Sequence, residues 1–309
     1  MALNLPGRIV RRDFARFADY DLELAQFGQG QWCAARALDI DVAALTEIAR
    51  GWGRALHGID RPWLCWNVEP EWCLVQQKLV REAGFTPLVG FDPRVGPPGR
   101  NVPEAVVFDF NAELRLPLLY PHFPLEFAFL FAEKLAFWHS DLLIRHDKMR
   151  ALAQRFDALP DGATAACVAD PGLRHRHLPW RKRYWELVGC TTRRASRDQF
   201  EKGCGWWMAY WAHPNQKRAA AIRRWYYWDH GAGIRYWHKR VGGDCLVLDA
   251  ADFSEGHFTK IGNKDYVGTR EPNGSDVRRN MNEELVRNFD LNAACARLGL
   301  ADLLEASAV

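Results

Sequence analysis

The amino-acid sequence predicts an α/β fold in which a mixed, mainly parallel central sheet is flanked by helices. The first observation is that residues 62–67, 69–83 and 86–91 show strand, helix and strand patterns in turn. This spacing is typical of a right-handed βαβ unit. The second is the apolar run at residues 135–138, which continues without alternation until it meets His139. Such a run is typical of a strand in the middle of a parallel sheet that is covered on both faces.

Turn and capping residues justify the individual elements of this fold. The apolar periodicity after Asp41 predicts a helix that ends near Gly51 or Gly53. In the helix of the βαβ unit, Pro70 suits the first turn and Gly84 suits the position after the last turn. Further strands are predicted at residues 105–110, 163–168 and 246–248, and further helices at residues 124–134, 147–159, 196–202 and 217–228 and in the tail from residue 282.

The predicted elements group into a single α/β domain with helical additions at both ends. The chain of 309 residues is long enough for one large domain or two small ones, and the sequence contains no internal repeat or low-complexity tract. We expect four consecutive parts: an N-terminal helical extension at residues 1–60, a first α/β half at 61–170, a second half at 171–270 and a C-terminal helical tail at 271–309.

Composition and charge restrict the classes of protein to which this chain can belong. The formal net charge of +3 is too small to favour nucleic acid as the main partner. No apolar run approaches the roughly 20 residues that cross a bilayer, and the amino terminus lacks the apolar core of a signal peptide. The eight cysteines have no zinc-binding spacing, which is typical of reduced thiols. We therefore expect a cytoplasmic protein with no transmembrane segment, for which any contact with a membrane would be peripheral. The basic run at residues 174–183 could meet an anionic ligand or a membrane surface, but such a run is more often a solvated loop.

The 14 tryptophans are unusually many for a chain of this length. Several lie beside polar residues, as expected in a site that stacks flat rings or sugar faces, and Trp138 and Trp185 are among them. A tryptophan-rich core is the better interpretation for any single one of them. We keep Trp138, next to His139, as a candidate for cofactor binding.

Polar side chains follow three of the predicted strands at the point where each strand ends. Asn67 and Asp92 come after the two strands of the βαβ unit and are candidates for contacts to a base or a ribose, although each could equally be a turn residue. His139 and Asp141 follow the central strand, and in an extended backbone their side chains point the same way. An imidazole and a carboxylate aimed at one point can hold a divalent cation. The alternative is that Asp141 caps the next helix and that His139 is an ordinary core histidine.

Two motifs resemble those of known glycosyltransferases. The triplet His139-Ser140-Asp141 at the end of an apolar strand resembles the DxD signature of the GT-A glycosyltransferases, with a histidine in place of the first acid. Residues 257–266 resemble the His-Phe-x-Gly-x-x-Lys-Pro-Trp element of glycogenin-like and lipopolysaccharide galactosyltransferase-like enzymes. In this chain the Gly and the Lys fall later, and Asp-Tyr replaces Pro-Trp. The resemblance covers roughly residues 60–270 and rests on the order of the motifs.

The resemblance implies a metal-dependent enzyme with a GT-A-like, Rossmann-like sheet. It implies that His139, Asp141 and His257 hold Mn²⁺ or Mg²⁺, and the imidazoles favour Mn²⁺ because they are softer ligands than oxygen. It also implies that Lys264 approaches the diphosphate of a nucleotide-diphosphate sugar and that Gly262 lies against this donor. The first α/β half would then bind the nucleotide sugar, and the second half would bind a carbohydrate acceptor and complete the metal site. The expected role is the synthesis of bacterial polysaccharide or surface glycans.

A carboxylate is needed as a base if the transfer inverts the configuration of the sugar. Asp229 is the first candidate because it lies inside an aromatic cluster that could hold the acceptor, and Glu186 and Glu201 are its rivals. Two other functions stay open. One is a metallohydrolase such as a phosphoesterase, which would use His230 together with the three predicted ligands. The other is a non-catalytic protein that binds nucleotide sugars or carbohydrates on the same scaffold.

Overall fold

The computed structural model describes the chain between residues 9 and 305, with gaps. The described residues are 9–11, 38–40, 42–93, 95–115, 119–168, 184–206, 217–218, 221–222, 231–258 and 290–305. In the N-terminal part, Ile9–Arg11 and Leu38–Ile40 pair as two short antiparallel strands.

Within the described residues, the centre of the fold is one sheet of seven strands. In chain order the strands are β1 (Pro62–Asn67), β2 (Thr86–Phe91), β3 (Val106–Val107), β4 (Lys134–Trp138), β5 (Ala163–Val168), β6 (Tyr184–Thr192) and β7 (Asp244–Asp249). Their order across the sheet is β3-β2-β1-β4-β6-β5-β7. Of these seven strands, β6 alone runs antiparallel to its neighbours. The mixed, mainly parallel sheet is consistent with a Rossmann-like fold and confirms the predicted α/β class.

Helices cover both faces of the sheet. They are α1 (Val42–Ala55), α2 (Pro70–Glu82), α3 (His122–Glu126), α4 (Ala128–Phe131), α5 (His146–Asp157), α6 (Arg193–Glu201), α7 (Ala232–Tyr236), α8 (Leu291–Leu298) and α9 (Asp302–Glu305). The helix α7 continues as the π-helix Trp237–Val241, and the 3₁₀ helix Ala250–Gly256 follows β7. Among the described residues, none of these helices has the length and the apolar character that a membrane span requires.

The boundaries predicted from sequence patterns hold for three strands and shift for several other elements. The strands β1, β2 and β5 span the predicted residues. The sequence predicts that α1 ends near Gly51 or Gly53, but the helix continues to Ala55. An added Cβ at Gly53 would lie 2.4 Å from the Leu130 carbonyl oxygen, so this glycine lets α1 and α4 pack closely and does not end the helix. The strand predicted at 105–110 is reduced to β3, and the helix predicted at 124–134 is divided into α3 and α4.

Buried aromatic side chains fill the space between the sheet and the two helix layers. In β1, Leu64 and Trp66 pack with α1, α3 and α4, whereas Trp63 and Cys65 on the opposite face pack with α2 and α5. The strand β4 alternates in the same way, so the continuous apolar sequence of the central strand is buried on both faces. The largest fully buried side chains include Trp63, Trp66, Trp72, Trp138, Trp206 and Trp237.

Candidate metal centre

The turn after β4 places His139 and Asp141 at the carboxyl end of the central strand. The backbone N–H of His139 donates to the carbonyl of Leu187 on β6 (2.8 Å), so the start of the turn is tied to the sheet. Gln76 on α2 donates from Nε2 to the carbonyls of His139 (2.9 Å) and Leu142 (2.8 Å). This fully buried amide holds both ends of the turn, and the helical pattern of the sequence did not single it out.

A distant segment brings His257 to this turn. The 3₁₀ helix after β7 ends at Gly256, and the next residue, His257, forms an antiparallel bridge with Leu142. The N–H of Leu143 donates to the Gly256 carbonyl (3.0 Å), and the N–H of the residue after His257 donates to the Asp141 carbonyl (2.9 Å). An added Cβ at Gly256 would lie 1.8 Å from the Leu143 carbonyl oxygen. The close approach of the two segments therefore requires glycine at this position.

The side chains of His139, Asp141 and His257 meet at the end of β4. Asp141 Oδ1 lies 3.3 Å from His139 Nδ1 and 3.2 Å from His257 Nε2. One possible ligand atom from each residue lies within 4.8 Å of the other two. The side chains of the two histidines are 22% and 14% exposed and that of Asp141 is 14% exposed, so the fold holds them while solvent still reaches them. The structure thus brings the three predicted ligands together, and their binding of a cation stays a prediction.

The donor set and its spacing fit a divalent transition-metal ion. A cation with bonds of about 2.1 Å and ligand–metal–ligand angles of roughly 90–110° separates neighbouring ligand atoms by roughly 3.0–3.4 Å. Both separations at Asp141 Oδ1 fall in that range. Two imidazoles and one carboxylate suit Mn²⁺, Fe²⁺ or Zn²⁺ better than Mg²⁺ or Ca²⁺, which prefer oxygen ligands. Three protein ligands leave positions for water or substrate, as in catalytic sites and unlike closed structural sites.

Hydrogen bonds between histidines and carboxylates set the protonation of this cluster. Burial by itself would lower the pKa of His139, but hydrogen bonds to Asp141 and Glu186 outweigh burial and raise the pKa to about 9. Burial would raise the pKa of Asp141, but hydrogen bonds from His139 and His257 hold that pKa well below its usual range. At neutral pH the cluster therefore contains an imidazolium beside a carboxylate, and a divalent cation would have to displace the imidazolium proton.

A second carboxylate and a third histidine extend the cluster into the protein. Glu186 on β6 places Oε1 3.2 Å from His139 Nε2 and 2.7 Å from Nε2 of His122 on α3. The half-buried Trp185 lies edge-on to both predicted ligand histidines, with its ring centroid 5.1 Å from that of His139 and 5.0 Å from that of His257. The sequence marked Glu186 as a candidate carboxylate and Trp185 as a possible stacking residue. It gave no signal for His122, because only the fold brings α3 to this place.

The polar residues predicted at the ends of β1 and β2 are buried in the scaffold. Asn67 donates from Nδ2 to the Gly96 carbonyl (2.8 Å), and Asp92 accepts at Oδ2 from the N–H of Leu119 (3.1 Å). Neither side chain has measurable exposure. In this structure Asn67 holds the loop that follows β2, and Asp92 holds the segment that leads into α3. Contacts from either residue to a nucleotide stay a prediction.

The remaining predicted site residues lie in the core, at another edge of the sheet or beyond the described part of the chain. Trp138 is 2% exposed, and its ring centroid lies 5.3 Å from that of Trp63 in the core, so it offers almost no surface to a ligand. Glu201 at the end of α6 is exposed and pairs with Arg197 (2.7 Å). Four residues fall outside the described residues: Asp229, His230, Gly262 and Lys264.

Three features of the described residues bear on function: the ligand set, its position at the end of the central strand, and its aromatic neighbour. The chain matches no protein-family model, no curated protein and no solved structure. The geometry and the chemistry of the metal centre are therefore the basis on which a function can be proposed.

Proposed function

We propose that this chain is a metal-dependent glycosyltransferase that moves a sugar from a nucleotide-diphosphate donor to a carbohydrate acceptor. The observation that carries the proposal is the convergence of His139, Asp141 and His257, from two distant segments, at the carboxyl end of the central strand. A ligand triplet after an apolar strand and a late histidine are the features by which the sequence resembles the GT-A glycosyltransferases. The mixed, mainly parallel sheet is compatible with such a fold.

The position of the centre on the sheet supports a nucleotide as the ligand. The strands β1, β2 and β4 run parallel, so their carboxyl ends lie along one edge of the sheet. The chain adds β2 and β3 on one side of β1 and then places β4 on the other side, which creates a switch in strand order between β1 and β4. Open α/β sheets bind ligands in the crevice at such a switch point. His139 follows β4 directly, and the proposal puts the donor diphosphate in this crevice.

Mn²⁺ is the cation that the proposal assigns to the centre. His139, Asp141 and His257 would hold it, and when bound it would supply Lewis acidity to the charged diphosphate leaving group. Lys264, outside the described residues, is proposed as a second positive centre near the diphosphate. Asp229, also outside them, is proposed as the base that takes the proton of the acceptor hydroxyl if the configuration inverts.

Trp185 gives the proposed active site an aromatic wall. Its ring is half-buried and stands edge-on to the two ligand histidines. Glycosyl transfer passes through an oxocarbenium-like state that water would capture, so an active site that excludes water favours transfer over hydrolysis. An indole at this position shields the site from water and offers a flat surface to a sugar ring.

A mononuclear non-haem iron enzyme is the second candidate function. Two histidines and one carboxylate with open positions are the ligand set of the Fe²⁺ oxygenases. The side chains of His139, Asp141 and His257 present this same set. The position of the centre at a switch in strand order favours the nucleotide-sugar proposal, and ligand binding separates the two candidates.

Calorimetric titration and thermal unfolding test the proposed function. Wild-type protein and the Asp141→Asn variant are titrated with UDP, GDP and their sugar conjugates, with and without Mn²⁺. We expect one nucleotide to raise the Tm of the wild type only when Mn²⁺ is present. A ligand at about 100 times its Kd stabilises the folded state by about 2.7 kcal/mol, so the shift should be measurable. We expect no such effect on the variant. If no nucleotide stabilises the wild type with any metal, the glycosyltransferase proposal is wrong, and oxygen consumption with Fe²⁺ would then favour the iron enzyme.

A further inference from the structure

A β-bulge in β6 lies beside the metal centre. Along β5 and β6 the residues pair one to one until Ala166, which pairs with Gly189. The next residue of β5, Cys167, pairs with Trp185, so residues 186–188 have no partner on β5. Bulges redirect side chains and are frequent next to active sites. This bulge contains Glu186.

Glu186 is a buried carboxylate between two histidines. Its Oε1 lies 3.2 Å from His139 Nε2 and 2.7 Å from His122 Nε2, and the side chains of Glu186 and His122 are 6% and 7% exposed. A buried charge is costly unless hydrogen-bond donors surround it, and both of these ring nitrogens can donate. The two ring nitrogens of His139 therefore face different carboxylates, since Nδ1 faces Asp141 and Nε2 faces Glu186.

We propose that Glu186 is a positioning residue that fixes the tautomer and the ring orientation of His139. A neutral imidazole carries its proton on one nitrogen, and only the other nitrogen can bind a cation. By accepting the N–H of Nε2, Glu186 leaves the lone pair of His139 on Nδ1, beside Asp141. His122 donates to the same Oε1 and keeps the carboxylate in place. The inference rests on the metal centre of the proposed function, and it is independent of the substrate.

The variant Glu186→Gln removes the negative charge and adds a donor group while it keeps the size of the side chain. Its amide group can rotate and donate to His139 Nε2, which favours the tautomer that cannot bind a cation through Nδ1. Loss of such a supporting carboxylate typically weakens metal affinity by about 10- to 100-fold. Glu201→Gln is the matched control, because it makes the same change at an exposed position of α6.

Calorimetric titration with Mn²⁺ and nitrogen NMR of the histidines test the inference. We expect Glu186→Gln to bind Mn²⁺ about 10- to 100-fold more weakly than the wild type and Glu201→Gln to bind it equally well. In wild-type protein loaded with diamagnetic Zn²⁺, we expect the proton of His139 on Nε2. Wild-type affinity in Glu186→Gln, or a proton on Nδ1 of His139, overturns the inference. The NMR measurement needs only the wild type, so it decides the question even if the variant does not fold.

The outcomes separate this inference from the glycosyltransferase proposal. If Glu186→Gln loses Mn²⁺ affinity and no nucleotide binds the wild type, the positioning role stands and the proposed function is wrong. If a nucleotide binds with Mn²⁺ and Glu186→Gln retains full affinity for Mn²⁺, the proposed function stands and the positioning role is wrong. If the wild type binds no divalent cation, both are wrong.

Discussion

Ionisable side chains cluster at both ends of the central strands of the sheet, and the two clusters differ in their burial and in their partners. Beside the amino ends of β4 and β5, a groove of about 690 Å³ is lined by α1, α4 and α6 and contains four arginines. Three of them pair with acids of the same groove: Arg193 with Glu133, Arg194 with Asp161, and Arg197 with Glu201. At the carboxyl end of β4, the candidate metal centre holds two largely buried carboxylates, Asp141 and Glu186, and each lies within 3.3 Å of ring nitrogens of two histidines.

The burial of the charged side chains and the chemistry of their partners distinguish these two sites. In the groove, oppositely charged side chains neutralise one another at the surface, where water and salt screen each pair and make its contribution small. At the metal centre, Asp141 and Glu186 are withdrawn from water, and buried carboxylates need a positive partner. At the candidate centre a divalent cation would add positive charge beside Asp141, whereas three of the four arginines in the groove already pair with acids of the same groove. The site at the carboxyl end of β4 is therefore the better candidate for function.

Among the variants proposed here, Asp141→Asn is expected to cause the largest loss of Mn²⁺ affinity. Asp141 Oδ1 contacts both ligand histidines and carries the negative charge of the three predicted ligands. We expect Mn²⁺ affinity to fall by more than about 100-fold, beyond the loss typical of a supporting residue. The control is Asp161→Asn in the groove, where the side chain is 71% exposed and the affinity should not change. Calorimetric titration measures both, and equal affinities in the two variants would contradict the distinction between the edges.

Gly256→Ala should destabilise the fold and the metal centre together. The new Cβ would lie 1.8 Å from the Leu143 carbonyl oxygen, so the segment that carries His257 would have to move away from the turn. We expect the free energy of unfolding to fall by about 2–4 kcal/mol, as for other severe steric conflicts, and Mn²⁺ to bind more weakly. Gly99→Ala is the control, since no atom lies within 4 Å of its added Cβ. Urea unfolding measures both variants. If both have the wild-type free energy of unfolding, the bridge between Leu142 and His257 tolerates displacement and the prediction is wrong.

The metal-free protein is expected to lose stability as the pH rises through about 9. The pKa of His139 is raised from 6.5 to about 9, because its hydrogen bonds to Asp141 and Glu186 outweigh the effect of burial. A group with a raised pKa contributes its full stabilisation below the pKa of the unfolded chain and loses it as the pH passes the folded pKa. The contribution of His139 to the free energy of unfolding is about 3 kcal/mol. Urea unfolding in EDTA should therefore show a larger gap between wild type and His139→Gln at pH 6 than at pH 9.5, and a gap that does not change with pH would contradict the assignment.

The ion pairs of the groove should give the smallest effect. Arg197 and Glu201 are 66% and 57% exposed and lie one helical turn apart on α6. We expect Arg197→Ala to change Tm by no more than about 2 °C, because exposed pairs of this kind contribute little. Thermal unfolding at low and high salt measures the effect. A loss of Tm as large as that of Gly256→Ala would show that the groove is more than a solvated surface.

How well the sequence predicted the fold depended on how local each signal was. The bounds of β1, β2 and β5 were predicted because each apolar run is set off by proline, glycine or aspartate. The strand β6 was not assigned, and its antiparallel direction comes from pairing with β4 and β5, which are distant in sequence. The prediction that Gly53 ends a helix was wrong for the same reason. A glycine that ends a helix and a glycine that admits a neighbouring helix look alike until the neighbour, here Leu130, is known.

The candidate site was predictable at its ligands and not in its surroundings. Spacing and resemblance grouped His139, Asp141 and His257, and the structure places these side chains together. His122 and Gln76 had no such signal. A polar residue in a helical pattern is usually assigned to the solvent face, and only the packing of α2 and α3 on the sheet shows that both side chains are buried.

The antiparallel bridge between Leu142 and His257 bears on how this molecule is made. A ribosome releases the turn with two of the proposed ligands long before it releases the third. The segment after β7 carries the third proposed ligand. Until it has emerged and docked on that turn, a nascent chain has only two of the three proposed ligands in place. Binding of the proposed ion would therefore be a late step of biosynthesis, and a translation product truncated before residue 257 would keep the strands of the sheet and lack one of the three proposed ligands.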